Sequence, residues 1–181
     1  MISILMTVYN EPVGWVEIAL NSLIKQTYSD FELVIVVDNP RYEQMEWLRN
    51  YVAENFMKYQ FIINKINLGL VKSLNIGFKH SKGSYVARMD SDDYSLPSRL
   101  DEEMRFLKNN KLDFVASEID LMDDTGNPLD SPHFNRNLVE NDIMKVERCQ
   151  NVFWHPTWLM KRSVMDVLKG YRDIPSTEDY D

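Results

Sequence analysis

The chain has 181 residues, with 20 Lys+Arg against 28 Asp+Glu, a formal net charge of −8, and 44% hydrophobic and 27% charged residues. This is the size and mix of one globular domain with a real core. It excludes a disordered tail, a general nucleic-acid binder that must meet phosphate, and a basic amphipathic membrane anchor. One cysteine, Cys149, cannot form an internal disulfide, and three histidines without Cys pairs argue against structural zinc, so a reducing, cytoplasmic setting is expected.

The N-terminus lacks the basic start of a signal peptide, and the longest apolar run, residues 33–37, is far short of the roughly 20 residues of a spanning helix. Residues 2–8 read as a first strand ending at Tyr9-Asn10-Glu11-Pro12, where Asn10 is expected to cap a helix with Pro12 in its first turn. Trp15, Ile18, Ala19 and Leu23 follow at helical spacing. Residues 31–37 form a continuous apolar strand signal, expected when both faces are covered, and stop at Asp38-Asn39-Pro40. Met45, Leu48, Val52 and Phe56 lie on one helix face; residues 61–63 read as a short strand; Leu70, Leu74 and Phe78 mark a helix ending near Gly83. Residues 84–89 are the next strand, running into Asp90-Ser91-Asp92-Asp93, and Pro97 opens a helix that buries Leu100, Met104 and Leu107. Beyond Leu112 the pattern predicts a strand over 113–122, a turn over 123–128, a helix over 137–149, a strand over 155–160 and a short helix over 163–168 closed by Gly170. Four strand–helix units in succession predict an α/β, doubly wound, mostly parallel sheet with helices on both faces.

In such a sheet ligands sit beyond the carboxyl ends of the strands. Three of these ends are polar here: Thr7 to Glu11, Asp38-Asn39, and Asp90 to Asp93. No glycine-rich dinucleotide or P-loop motif is present. Clustered carboxylates repel one another unless a cation offsets them, so Asp90, Asp92 and Asp93 suit Mg²⁺ or Mn²⁺ bridging to phosphate. The same spacing also suits an acidic turn capping the helix near Pro97. An EF-hand does not fit, because its sixth position would be Ser95 and its twelfth Asp101. Lone His155 and the Trp154/Trp158 pair read as structural packing. The acidic group Asp120, Asp123, Asp124 reads as a solvated turn.

Taken together, Ile4-Leu5-Met6-Thr7-Val8-Tyr9-Asn10, the strand ending in Asp38, Asn67-Leu68-Gly69, Ala87-Arg88-Met89-Asp90-Ser91-Asp92-Asp93, and Gly170-Tyr171-Arg172 with Glu178-Asp179-Tyr180-Asp181 resemble the ordered motifs of family 2 inverting glycosyltransferases of the GT-A fold. The resemblance runs over nearly the whole chain. It implies a nucleotide-binding half over residues 1–112 and the start of an acceptor-side half over 113–181. It implies a UDP-sugar donor, a saccharide or lipid-linked acceptor, and Mn²⁺ or Mg²⁺ held by Asp92 with Asp90. It further implies donor contacts from Thr7, Tyr9, Glu11, Asp38, Asn67, Lys72, Asp90 and Ser91, and Asp179 as catalytic base beside Glu178. Asn39-Pro40 departs from the family's usual Asp-Gly-Ser after the second strand. The chain reads as cut off at Asp181, which implies membrane association through a later segment and leaves a non-catalytic nucleotide-sugar-binding module as the alternative. A phosphatase of the haloacid-dehalogenase type would carry its D-x-D where Thr7-Val8-Tyr9 stands.

Overall fold

The computed structural model describes residues 1–129 and 153–174. The four expected strand–helix units are β1 (Ile2–Val8), α1 (Val13–Ile24), β2 (Phe31–Val37), α2 (Met45–Asn55), β3 (Tyr59–Ile63), α3 (Leu70–His80), β4 (Tyr85–Asp90) and α4 (Arg99–Asn109). Two short strands follow, β5 (Phe114–Val115) and β6 (Leu159–Lys161), and then a helix, α5 (Arg162–Leu168). The sheet order is β3-β2-β1-β4-β6-β5. β1 is parallel to β2 and β4, and β2 to β3, whereas β6 runs antiparallel to β4 and β5.

Alternation along the central strands feeds two cores. Ile2, Ile4, Met6 and Val8 of β1 pack with Leu20 of α1, Leu48 of α2 and Leu100 of α4. Leu5 and Val34 point the other way, onto Leu74 and Phe78 of α3 and Met165 of α5. Each such side chain, fully buried, contributes about 1.5–3 kcal/mol, which is why β1 and β2 carry apolar residues on both faces, with buried Ser3 and Glu32 hydrogen-bonded to each other. α3 lies close on the sheet at Gly77, where a Cβ would meet Val36 Cγ2 at 3.2 Å. That approach fixes the N-terminus of α3 beside the carboxyl ends of β1, β2 and β4, which the parallel pairing brings to one edge.

Several local expectations need correction. Pro12, not Asn10, takes the N-cap position of α1, and no side chain caps the helix; the Asn10 carboxamide instead accepts from Asn39 Nδ2 at 2.6 Å, tying the ends of β1 and β2. The strand expected over 113–122 is only Phe114–Val115, because β6 offers it two partners, Met160 and Leu159. Residues 155–160 divide into a 3₁₀ turn (His155–Thr157) and β6. α5 ends with Lys169 and Gly170 both at positive φ, so the closing turn takes two residues rather than Gly170 alone. The helix expected over 137–149 lies outside the described residues.

Candidate functional site

A cavity of about 420 Å³ opens at the shared edge of β1, β2 and β4. β1 and the turn that follows it contribute Thr7, Tyr9 and Glu11 to its wall. Thr7 pairs in register with Asp90 of β4, so the two strand ends meet side by side. Glu11 folds back to accept from the Tyr9 amide at 2.7 Å, and its own carbonyl accepts from Tyr42 Oη at 2.9 Å; this holds the Tyr9 ring at the surface, 44% exposed. β2 contributes Asp38, which is 5% exposed. Its Oδ1 accepts from Asn64 Nδ2 at 2.7 Å and the Leu68 amide at 2.8 Å, and its Oδ2 accepts from the Gly69 amide at 2.8 Å. Asp38 therefore organises the turn that carries Asn67 and leads into α3, and Gly69 takes φ +85° at the helix N-cap. A carboxylate has about four acceptor positions, which leaves Asp38 about one for a ligand.

β4 ends in the acidic cluster. Asp90, Ser91 and Asp92 line the cavity. One oxygen from each of Asp90, Asp92 and Asp93 falls within 4.8 Å of the others. Arg88, 2% exposed, donates to Asp90 Oδ1 and to the Met89 carbonyl. Burial, then the neighbouring Asp90 and Asp92 charges, push Asp93 up to about 6. Oxygen-only ligands with mutual repulsion of this kind fit a hard divalent cation. Without one, Asp93 holds a proton in the native state that the unfolded chain, titrating near 3.8, has already released. Stability from this group therefore falls as pH rises from about 4 to about 6. His155 acts oppositely: burial, and then Arg88, lower it to about 3, so it loses stability as pH falls below 6.5. Comparing wild type with Asp93→Asn cancels the histidine. In EDTA, urea unfolding at pH 4, 5, 6 and 7 should show the variant gaining on wild type by on the order of 2–3 kcal/mol. A gap independent of pH would contradict this account.

Lys72 stands apart from the other expected donor contacts. It is exposed on the first turn of α3, does not line the cavity, and lies 3.3 Å from Asp173 Oδ2. Glu178 and Asp179 lie outside the described residues. A second, wider groove of about 930 Å³ meets the cavity at Asp92, with walls from Trp15, Asp93, Tyr94 and the 117–129 segment. Trp15 Nε1 donates to the Asp124 carbonyl at 3.1 Å, holding that segment against α1. His155 is buried, with Nε2 3.1 Å from Tyr171 Oη and its ring edge-on to Trp158. Sequence reasoning missed Asn64, Ser73 and Arg88. Asn64 Nδ2 bridges Asp38 and Ser73 Oγ (2.8 Å), and Ser73 lines the cavity. Arg88 carried a visible signal, a charge in mid-strand among Val86, Ala87 and Met89.

Comparison with known proteins agrees with this geometry. Residues 3–168 match the model of the family described as Glycosyl transferase family 2. The O-antigen biosynthesis glycosyltransferase WbnJ of Escherichia coli is 34% identical over 184 residues, covering 100% of this chain and 69% of that protein. S. aureus TarS 1-349, solved in complex with UDP-GlcNAc, superposes with a TM-score of 0.77 at 20% identity, over 99% of this chain and 51% of that one. The mannosyltransferase PcManGT from Pyrobaculum calidifontis, solved with GDP-Man and Mn2+, gives a TM-score of 0.74 at 18% identity, over 99% and 49%. These superpositions match the GT-A fold. The chain spans 62–69% of the length of three curated relatives it matches and as little as 18% of others.

Proposed function

The chain belongs to glycosyl transferase family 2, and from that premise we propose that it transfers a sugar from a UDP-sugar to a saccharide or lipid-linked acceptor, with inversion and with Mn²⁺ or Mg²⁺. The observation that carries this reading is the charge of the cavity. Among the described residues that line it are four carboxylates, Glu11, Asp38, Asp90 and Asp92, and no Lys or Arg. A diphosphate enters such a cavity only with a cation to offset the repulsion. The UDP-GlcNAc of TarS and the Mn2+ of PcManGT support a nucleotide-sugar donor with a divalent ion. That ion, held by Asp92 with Asp90, supplies positive charge against the departing diphosphate.

The protein's own groups do the rest. Tyr9 presents a flat face to the base and Asp38 accepts the uracil N–H with its remaining capacity. Thr7, Glu11, Asn67 and Ser91 surround the donor, and Asp90 orients the ribose hydroxyls. The first turn of α3, which begins at Leu70 beside the cavity, turns the positive end of the helix toward the negative donor. Lys72 reaches the diphosphate by leaving Asp173, an exposed pair of a kind that contributes at most about 1 kcal/mol. The acceptor approaches along the wider groove. Asp179 takes the proton from its hydroxyl as that oxygen attacks the anomeric carbon opposite the leaving group, and Glu178 orients the site. Residues 1–112 form the nucleotide-binding half and residues 113–181 begin the acceptor side. The protein works in the cytoplasm, reaching a membrane peripherally. No helix among the described residues is long and apolar enough to cross one.

Calorimetry of UDP with MnCl₂ and with EDTA tests the reading. Binding should tighten at least about tenfold with Mn²⁺, and Asp92→Ala should abolish that gain. Equal affinity in EDTA, or no Mn²⁺-dependent binding of uridine, guanosine or thymidine diphosphate, would overturn it. Binding without any UDP release from donor plus acceptor would instead identify a nucleotide-sugar-binding module.

A further inference from the structure

We propose that the wide groove beside the donor cavity is a subsite for an uncharged sugar, with Glu103 the residue that accepts one of its hydroxyls. The inference rests on the transferase reading above and names the class of second substrate. Glu103 stands on α4 and is 4% exposed. Its Oε1 accepts from Arg99 Nε at 3.1 Å and from Ser117 Oγ at 2.8 Å. Its Oε2 meets no donor among the described residues. A buried carboxylate oxygen left in that state carries its full desolvation cost. Burial pushes Glu103 above its ordinary range, and Arg99 and Ser117 pull it back only in part. Glu103 and Ser117 both line the groove, so a hydroxyl arriving there supplies the donor that the neighbouring side chains do not.

The charge of the groove selects among sugars. Among the described residues it is lined by eight carboxylates and a single cation, Arg99. Arg99 is already engaged: its side chain is 9% exposed, and besides Glu103 it donates from Nη2 to the Arg88 carbonyl at 2.9 Å. A carboxylate- or phosphate-bearing ligand therefore meets like charge without a free partner. An uncharged sugar meets acceptors for its hydroxyls. Its C–H faces meet apolar surface, because Tyr94, Leu96, Leu121 and Leu129 line the same groove and are 40–61% exposed. Apolar walls with a few placed polar groups are the usual make-up of a small-molecule site. A second metal ion fits less well. Among the described residues, Asp90, Asp92 and Asp93 converge on one point, and the remaining carboxylates of the groove form no such group.

The test titrates methyl glucoside, methyl galactoside and methyl glucuronide, followed by saturation-transfer NMR, into protein with UDP and Mn²⁺, up to about 20 mM so that millimolar Kd values are reached. Glucoside and glucuronide differ only at C6, an alcohol against a carboxylate. The neutral glycosides should bind, and the glucuronide should bind at least about tenfold more weakly. In Glu103→Gln the carbonyl must face Arg99, which has donors only, so the amide NH₂ takes the place of Oε2. That variant should bind the neutral glycosides at least about tenfold more weakly, with UDP affinity within about twofold of wild type. Neutralising three exposed carboxylates together, Glu102→Gln, Glu118→Gln and Asp120→Asn, should raise glucuronide affinity at least about fivefold. No binding of either neutral glycoside, or equal affinity for glucoside and glucuronide in wild type, overturns the subsite. Unchanged glucoside affinity in Glu103→Gln removes Glu103 from the contact. If that variant loses UDP binding as well, the triple variant decides, and no gain of glucuronide there overturns the selection by charge. Neutral glycosides that bind while UDP-glucose, UDP-galactose and UDP-N-acetylglucosamine release no UDP would fail the transferase reading and leave the sugar subsite standing.

Discussion

Asp38→Ala is expected to destabilise the protein by about 3–5 kcal/mol and to lower UDP affinity at least about 100-fold. The alanine removes an acceptor that three donors share, the Asn64 carboxamide and the amides of Leu68 and Gly69. Hydrogen bonds to a charged group contribute about 1.5–3 kcal/mol each, and donors left without a partner add a desolvation cost. Asn64 retains Ser73 Oγ, which limits the loss on that side. The two amides belong to the turn that starts α3, so the damage falls on the cavity wall. Asp38→Asn keeps an acceptor toward one side only and should lie between. Urea unfolding and UDP titration of the three proteins check this; a stability loss below about 1 kcal/mol for the alanine would show that the turn holds itself.

Asp179→Asn should lower sugar transfer by about 10²–10⁴-fold, the range general-base catalysis supplies, while UDP affinity stays within about twofold. Asparagine keeps the shape and the capacity to accept a hydrogen bond, but it does not take up the acceptor's proton. On the proposed reading donor affinity comes from groups at the ends of β1, β2 and β4 and on α3, so it should not follow the transfer rate. Steady-state transfer and UDP calorimetry separate the two effects. Undiminished transfer would remove Asp179 from the base role.

Those elements of the fold that depend on local pattern were legible from residues alone. β1 and β2 match the expected limits because both are runs of β-branched and apolar side chains, interrupted only by Ser3 and Glu32, and stopped by turn residues. The face of α4 is Leu100, Met104 and Leu107 as spaced in the sequence. The strand expected over 113–122 failed for a non-local reason. Its alternation is sound, but a strand lasts only as long as its neighbour, and β6 is three residues long. Past Val115 the chain instead turns to side chains, where Ser117 pairs with Thr157 and Glu103. The site divides in the same way. Polar residues at the ends of β1, β2 and β4 could be read from position. The partners of Asp38 could not, because they lie 26 to 31 residues away and meet it only when α3 docks.

The reversal of direction at β6 has a consequence for how the two sides of the site can diverge. Donor-side groups stand where a strand of five or more residues passes its chain to a helix, so each is constrained by a ladder behind it and a packed helix ahead. Across β4 the polarity flips, and the site edge is met by the beginning of β6, through the turn at His155–Thr157, and by the chain leaving two-residue β5. Among the described residues little regular structure is at stake there, so insertions and substitutions cost less. Within one scaffold, then, the edge proposed to hold the nucleotide can stay fixed while the surface beyond β4 is rewritten many times.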